Sequence, residues 1–296
     1  MKIIITGSLG NISRPLVKQL AEKGNDITVI SRSSGKVAEI EKLGAKPAIG
    51  DIADHDFLVR TFTGADAIYL MIPPSYQAED MVGYIADSGK IYADAIAQSG
   101  VKRIVALSSM GAHLPLGNGP LSGLALAEKH YAELKDVDFT YLRPGGFFTN
   151  YLAQIGLIKH AGIAGDNTLP ETRFLITHPA DIADVAADAI LNPVSGNLVR
   201  FIVSAEKTNE EIASILGNAI GKPDLQWVQF SNEDYRNGLL QNGFSASAAQ
   251  AFIEMGEAFR DGRGFAEADS NPDKIVKGKR SFEDFAKEVF SPVYNQ

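Results

Sequence analysis

The 296-residue chain is 45% hydrophobic and 22% charged, a composition that supports a sizeable packed core and excludes a disordered or fibrous polypeptide. With 28 Lys and Arg against 36 Asp and Glu, its formal charge is −8, the wrong sign for direct contact with a nucleic-acid backbone. It contains no cysteine, which removes disulfides, thiolate metal sites, iron–sulfur clusters and a thiol nucleophile, so redox chemistry has to be carried by a bound cofactor.

Met1-Lys2-Ile3-Ile4-Ile5 runs directly into Thr6-Gly7, too short for the apolar core of a signal peptide. No stretch approaches the ~18–20 apolar residues of a membrane span. A cytoplasmic protein with no membrane partner is expected. The first half then alternates short β-branched runs with longer helical patterns, the mark of βαβ units on a parallel sheet. Strands are expected at Lys2–Thr6, Asp26–Ser31, Lys46–Ile49, Ala67–Ile72, Arg103–Ser108 and Phe139–Arg143. Helices are expected at Ser13–Lys23, Val37–Lys42, Asp54–Phe62, Val82–Ser99 and Leu121–Lys135. Gly24, Gly44, Gly64 and Gly100 fall at or just past four of these helices, where a left-handed C-cap forms easily.

After Pro144 the alternation loosens, and residues 145–177 show no clean period. Pro179-Ala180-Asp181-Ile182 opens a further helix with Asp181 as its expected N-cap, and Val199–Val203 is expected to join the edge of the same sheet. From Ala205 onward the pattern is helix and loop, with helix starts at Thr208 and Ser231, each followed by acids in the first turn. Leu225–Phe230 alternates as a strand around the only tryptophan, Trp227, and Arg260–Gly264 reads as an exposed loop. The fold class implied is α/β, a Rossmann-type doubly wound parallel sheet with a smaller, mainly helical C-terminal lobe. Residues 1–150 form its dinucleotide-binding domain, rejoined by residues 177–204, and residues 205–296 form a lobe for substrate or partner.

The strongest local signal is Gly7-Ser8-Leu9-Gly10-Asn11-Ile12-Ser13, set between the first strand and the first helix. Gly7 permits the tight turn, Gly10 lets the backbone approach a pyrophosphate, and the amides of Leu9, Asn11 and Ile12 open the helix. Ser13 stands where the fingerprint has its third glycine. At the tip of the second strand, Arg32 and Ser33 offer a cation and a hydroxyl, which suits the 2′-phosphate of NADP(H) rather than the bare ribose of NAD(H), the alternative cofactor. Asp51-Ile52 follows the third strand, where the carboxylate either accepts from an adenine amino group or caps a turn. Met71-Ile72-Pro73 ends the fourth strand on the ribose side, and Ser108 ends the fifth beside the expected nicotinamide.

Gly7-x-x-Gly10-x-x-Ser13, Arg32, Gly50-Asp51, Leu107-Ser108-Ser109-Met110-Gly111-Ala112-His113, Leu142-Arg143-Pro144-Gly145 and Asp181-Ile182-Ala183 occur in this order. In that order they resemble the NmrA-like family of atypical short-chain dehydrogenases/reductases. The resemblance covers the N-terminal two-thirds well and the last ninety or so residues loosely. It implies a Rossmann domain for NADP(H) or NAD(H), with Pro144 and Gly145 leading toward the nicotinamide. The family includes NADPH-dependent quinone and azo-dye reductases as well as non-catalytic redox sensors that act on a protein partner.

Related reductases carry Tyr-x-x-x-Lys on the helix after the fifth strand, the phenol serving as proton donor. A literal Tyr131-x-x-x-Lys135 is present, but at the far end of that helix, roughly 15 Å from its start, so it is expected to be a decoy. Counting back from Arg143, the family positions fall near Pro120 and Leu124-Ala125, and the expected serine falls at Met110. No catalytic residue is assigned. A reductase of this kind would act by placing a quinone-like small-molecule acceptor against the cofactor. Tyr76, His113 and His178 are the polar residues expected near the cleft, as loop or cap residues or as donors. Phe147 and Phe148 form either an acceptor wall or ordinary core. The runner-up function is an NADP(H) sensor whose lobe meets a protein partner, and homo-oligomer formation stays open.

Overall fold

A computed structural model describes all 296 residues. In chain order the first half is β1 (Lys2–Ile5), α1 (Ser13–Glu22), β2 (Asp26–Ser31), α2 (Val37–Lys42), β3 (Lys46–Ile49), α3 (His55–Phe62), β4 (Ala67–Leu70), α4 (Met81–Ser99), β5 (Arg103–Leu107), α5 (Pro120–Ala132) and β6 (Asp138–Pro144). There follow β7 (Gly146–Phe147), α6 (Gln154–Ala161), β8 (Ala164–Asp166), β9 (Arg173–Thr177), α7 (Pro179–Leu191), β10 (Leu198–Val203), β11 (Ala205–Thr208) and α8 (Asn209–Ala219). The remainder is β12 (Trp227–Gln229), α9 (Asn232–Gln241), α10 (Ala246–Arg260), α11 (Ala266–Asp269), β13 (Ile275–Lys277), α12 (Phe282–Phe285) and α13 (Ser291–Tyr294).

Eight parallel strands form the central sheet in the order β13-β10-β6-β5-β4-β1-β2-β3. The order reverses between β1 and β4, and ligands of such sheets bind outside the strand ends at that switch point. Both faces are covered, so the strands are near-continuous apolar runs. One face, with Ile3, Ile5, Val29, Tyr69 and Leu142, packs under α1 and α7; the other, with Ile4, Ile68, Ile104, Phe139 and Tyr141, packs under α3, α4 and α5.

The expected elements of this half are present, with ends moved by a residue or two. β4 stops at Leu70 because Thr6 diverts the chain: its Oγ1 accepts from the Met71 amide at 2.7 Å, and Pro73-Pro74 has no N–H to continue the ladder. α5 starts at Pro120, whose fixed φ suits a first helical position, and ends at Ala132, short of Lys135. Asp54 is a cap rather than the first helical residue, accepting from Phe57 N, and α4 begins one residue early at Met81, capped by Asp80 through Gly83 N. Gly100 ends α4 in the left-handed region at φ 75°, as anticipated, and Gly24, Gly44 and Gly64 share its sign.

Four expectations need correction. The N-cap of α7 is His178, whose Nδ1 accepts from Ala180 N at 3.0 Å; Pro179 begins the helix two residues before Asp181. Asp181 is instead buried in the first turn, bound by Ser204 Oγ at 2.6 Å and by the Arg280 guanidinium. Burial alone would raise its pKa, but the hydrogen bonds from Ser204, the Lys279 main chain and Arg280 hold it below the usual carboxylate range. Val199–Val203 joins the sheet, but β13 lies outside it and pairs Phe201 with Ile275, so the edge belongs to the C-terminal segment. The strand expected at Leu225–Phe230 is present as β12, paired with β8, but the rest of the region after Ala205 is not only helix and loop, because β11 pairs antiparallel with β9. Arg260 ends α10, and the chain then turns with Gly264 and Phe265 buried, so the segment is not simply an exposed loop.

A further apolar cluster joins Phe148, Ile158, Ala164 and Ile176 to Ile212, Trp227, Phe282 and Phe285, so residues 148–176 and 212–290 share one core. Thr208 and Ser231 cap α8 and α9 as expected, Thr208 through a reciprocal capping box with Glu211.

Candidate functional site

The turn after β1 is built around Gly7, at φ 83°, and Ser8, at φ 54°. Ser8 ties it to β2, its amide donating to Ile30 O at 3.0 Å and its Oγ to Ser31 Oγ at 3.0 Å. Ser13, in place of a third glycine, is buried and donates from Oγ to Thr6 O at 3.0 Å, so its hydroxyl completes the strand end instead of obstructing it. A Cβ on Gly10 would meet nothing nearer than Gly7 O at 3.4 Å. The outer side of the turn is therefore open.

α1 has no side-chain cap and no acid in its first turn. The amides of Leu9, Asn11, Ile12 and Ser13 have no acceptor in the protein, while the side chains of Leu9 and Ile12 point into the core. Free amides, a positive helix end and an unobstructed approach are what a diphosphate requires, and the residues present fit a dinucleotide. No helix is long and apolar enough to cross a membrane, and no cluster of His, Asp and Glu offers a metal site.

At the β2 tip, Arg14 and Lys36 are both committed to Glu39, at 2.5 and 2.9 Å, whereas Arg32 is exposed with no ion-pair partner. Ser33 donates its amide to Ser31 Oγ at 3.2 Å. Asp51 accepts from Ala53 N at 3.0 Å, so its carboxylate turns the chain with one oxygen still free; Ile52 packs beside Phe57. Met71 lies directly beneath Gly7, and Ile72 and Pro73 follow as half-buried residues at the lip of the sheet.

On the other side of the switch point, the Met110 amide donates to Pro144 O at 3.0 Å, which brings the β5 and β6 loops together. Gly145 is locked: its amide donates to Thr177 Oγ1 at 3.0 Å, and a Cβ there would strike the Leu175 carbonyl of β9. Ser108 donates from Oγ to Glu128 Oε1 at 2.5 Å. Glu128 also receives Arg143, which bridges to Glu267 of α11. Burial alone would lower the Arg143 pKa, but the two carboxylates raise it. His113 stands against Glu267, with Nδ1 at 3.5 Å from Oε2, buried and without a hydrogen bond.

Tyr131 is buried at 4% exposure, stacked on Phe139 with centroids 5.3 Å apart, and burial pushes its phenol pKa well up. With Lys135 beyond the helix end, the pair is remote from the cleft, as the spacing argument anticipated. Phe148 is core: it is fully buried, with Phe282 at 5.0 Å and Phe285 at 5.6 Å, so it cannot be an acceptor wall. Phe147 is half-buried on the α1/α7 side. His178 is a cap with its ring edge on Phe148. Tyr76 remains exposed at 44%, its ring 4.8 Å from Phe244 of the lobe, and its main-chain carbonyl accepts from Ser245 N at 2.8 Å. Partial burial against the lobe raises its pKa. Phe244, Phe252, Ser245 and Glu267 were not anticipated. Each reaches the cleft from the C-terminal lobe across a sequence distance that no local pattern reports.

A sequence-family profile described as NAD(P)H-binding matches residues 7–193. The chain is 24% identical to an NAD(P)H azoreductase of Xenophilus azovorans over 288 residues, 96% of each protein. It superposes on an NADPH-dependent quinone oxidoreductase of Escherichia coli complexed with NADPH at TM-score 0.80 and 21% identity, covering 97% of this chain and 99% of that one. A triphenylmethane reductase of Citrobacter sp. gives TM-score 0.80 at 19% identity, over 98% and 99% of the two chains. The chain belongs to the NAD(P)H-binding family of Rossmann-fold proteins. Its fold and motif order agree with the NmrA-like atypical short-chain dehydrogenases/reductases, a group with azoreductase and quinone reductase members.

Proposed function

We propose that this protein is an NADPH-dependent reductase that delivers a hydride to a quinone-like or other conjugated small acceptor. The observation that carries the reading is the set of four amides at Leu9, Asn11, Ile12 and Ser13 without protein acceptors, beside an unpaired Arg32. The turn would hold the diphosphate and Arg32 the 2′-phosphate; Asp51 would take the adenine edge, and Ser108, Pro144 and Gly145 the nicotinamide end. NAD(H) would use the same turn and forgo only the Arg32 contact. The relatives with quinone, azo and triphenylmethane reductase names support the acceptor class.

When bound, the reduced nicotinamide supplies two electrons and a proton as hydride. This chain would contribute position: Gly145, fixed between β9 and β10, holds the floor, and Tyr76 with Phe244 offers an aromatic flank for a planar acceptor. The test is NADPH oxidation with a panel of quinones and dyes, compared with Gly10→Asp, which should abolish turnover.

One observation favours a second reading. α5 opens with Pro120 and Leu124-Ala125 near where the family resemblance implies Tyr and Lys or His, so it offers no acid or base there, as in a non-catalytic NADP(H) sensor acting on a protein partner. NADPH binding without turnover of any acceptor would support the sensor.

A further inference from the structure

A hydride acceptor such as a quinone becomes an oxyanion and needs one proton to finish the reaction. The first turns of α5, Pro120 to Ala127, carry no titratable side chain, and Tyr131 lies in the core. One titratable side chain on the loop that follows Ser108 and Met110 is placed differently. His113 has its Nδ1 buried, unbonded and 3.5 Å from Glu267 Oε2, while its ring keeps a quarter of its surface exposed. With Nδ1 enclosed and facing a carboxylate, that nitrogen takes the N–H, which leaves Nε2 as the nitrogen where a proton comes and goes.

The charged groups facing this ring come from three elements: Glu267 from α11, Arg143 from β6 and, through Arg143, Glu128 from α5. One cation between two anions leaves a net charge of −1 beside the imidazole. That excess favours its protonated form, against the burial and the Arg143 charge that depress its pKa.

We propose that His113, held in register by Glu267, is the proton donor to the reduced acceptor. The inference rests on the reductase reading above. The acceptor gains a hydride from the cofactor and becomes a hydroquinone monoanion; its oxygen then takes the Nε2 proton, an O–H bond forming as N–H breaks. Neutral His113 is recharged by a proton from water. Glu267 is a positioning residue, because it acts through the ring and not on the acceptor.

Two acceptors separate the proton step from the hydride step. Menadione needs a hydride and a proton, whereas crystal violet is already a cation and is completed by the hydride alone. In His113→Gln the ratio of menadione to crystal violet turnover should fall about 10²-fold or more, the usual range for loss of a general acid. In the parent protein that ratio should decline as pH rises from about 5 to 8, because the donor works only when protonated, and it should be flat in the variant. A second readout needs no cofactor: the imidazole resonance missing in His113→Gln should titrate below the ordinary histidine range, and lower still in Glu267→Gln. An unchanged acceptor ratio, or a His113 titration indifferent to Glu267→Gln, overturns the proposal. Failure of the parent protein to reduce either acceptor overturns the reductase reading on which it stands.

Discussion

Met71 occupies the space that any side chain at Gly7 would need: a Cβ built on Gly7 would stand 2.5 Å from Met71 Cγ and 2.7 Å from its Sδ. The residue that follows β4 thus supports the turn after β1 from below, across the switch point of the sheet. Because Gly7 also has φ 83°, Gly7→Ala combines a left-handed alanine with displacement of Met71. It should cost about 1–3 kcal/mol of stability in urea melts and weaken NADPH binding in fluorescence titrations. Retention of both would show that the turn does not depend on this contact.

Arg32 has no protein partner, while Arg14 and Lys36 share Glu39. Arg32→Glu should weaken NADPH binding by about 1–3 kcal/mol, the size of a lost charge-assisted contact, with little change for NADH. Calorimetric titration of both cofactors checks this, and equal losses would mean that Arg32 does not meet the 2′-phosphate.

Much of the Rossmann half was legible because its central strands, such as β1, β4, β5 and β6, are buried on both faces and most of its helices on one, so local periodicity reports burial directly. The tight turn at Gly7 was legible because a left-handed φ there follows from backbone turn chemistry within a few residues. The lobe was not. β13 is three residues long and acquires meaning only by pairing with Phe201, and Glu267 reaches Arg143 across 124 residues. Asp181 looked like a cap because it opens an acidic first turn; His178 took that role because its ring nitrogen could accept from Ala180 N, with Pro179 at the first helical position. Phe148 could not be told from a cleft residue until Phe282 and Phe285 closed over it.

Phe148→Ala should therefore behave as a core truncation and not as an acceptor-site change. A loss of about 3–5 kcal/mol is expected for a buried phenylalanine, read as a shift in the urea midpoint. Unchanged stability with a raised acceptor KM would return Phe148 to the cleft.

His178 caps α7 through its Nδ1 lone pair, so protonation there competes with the bond from Ala180 N. Burial, aided by Arg280, lowers its pKa in the folded protein. A depressed folded value means that stability is present above the unfolded histidine pKa, about 6.5, and is lost as pH falls through the folded value. Unfolding free energy should decline between about pH 7 and 5, and His178→Asn, which caps without titrating, should reduce that slope. His113 is lowered in the same direction, so part of the slope should remain. An identical slope in the variant would mean that the cap does not titrate.

The central claim is that the open amides after β1 grip a diphosphate, and Gly10→Asp tests it without threatening the fold, because a Cβ there meets only Gly7 O at 3.4 Å. Calorimetric titration with NADPH should give saturable binding to the parent protein at one site per chain, and the aspartate carboxylate should remove it while the melting temperature holds. No heat from the parent protein up to about millimolar NADPH, an affinity weaker than roughly 4 kcal/mol, would contradict the account.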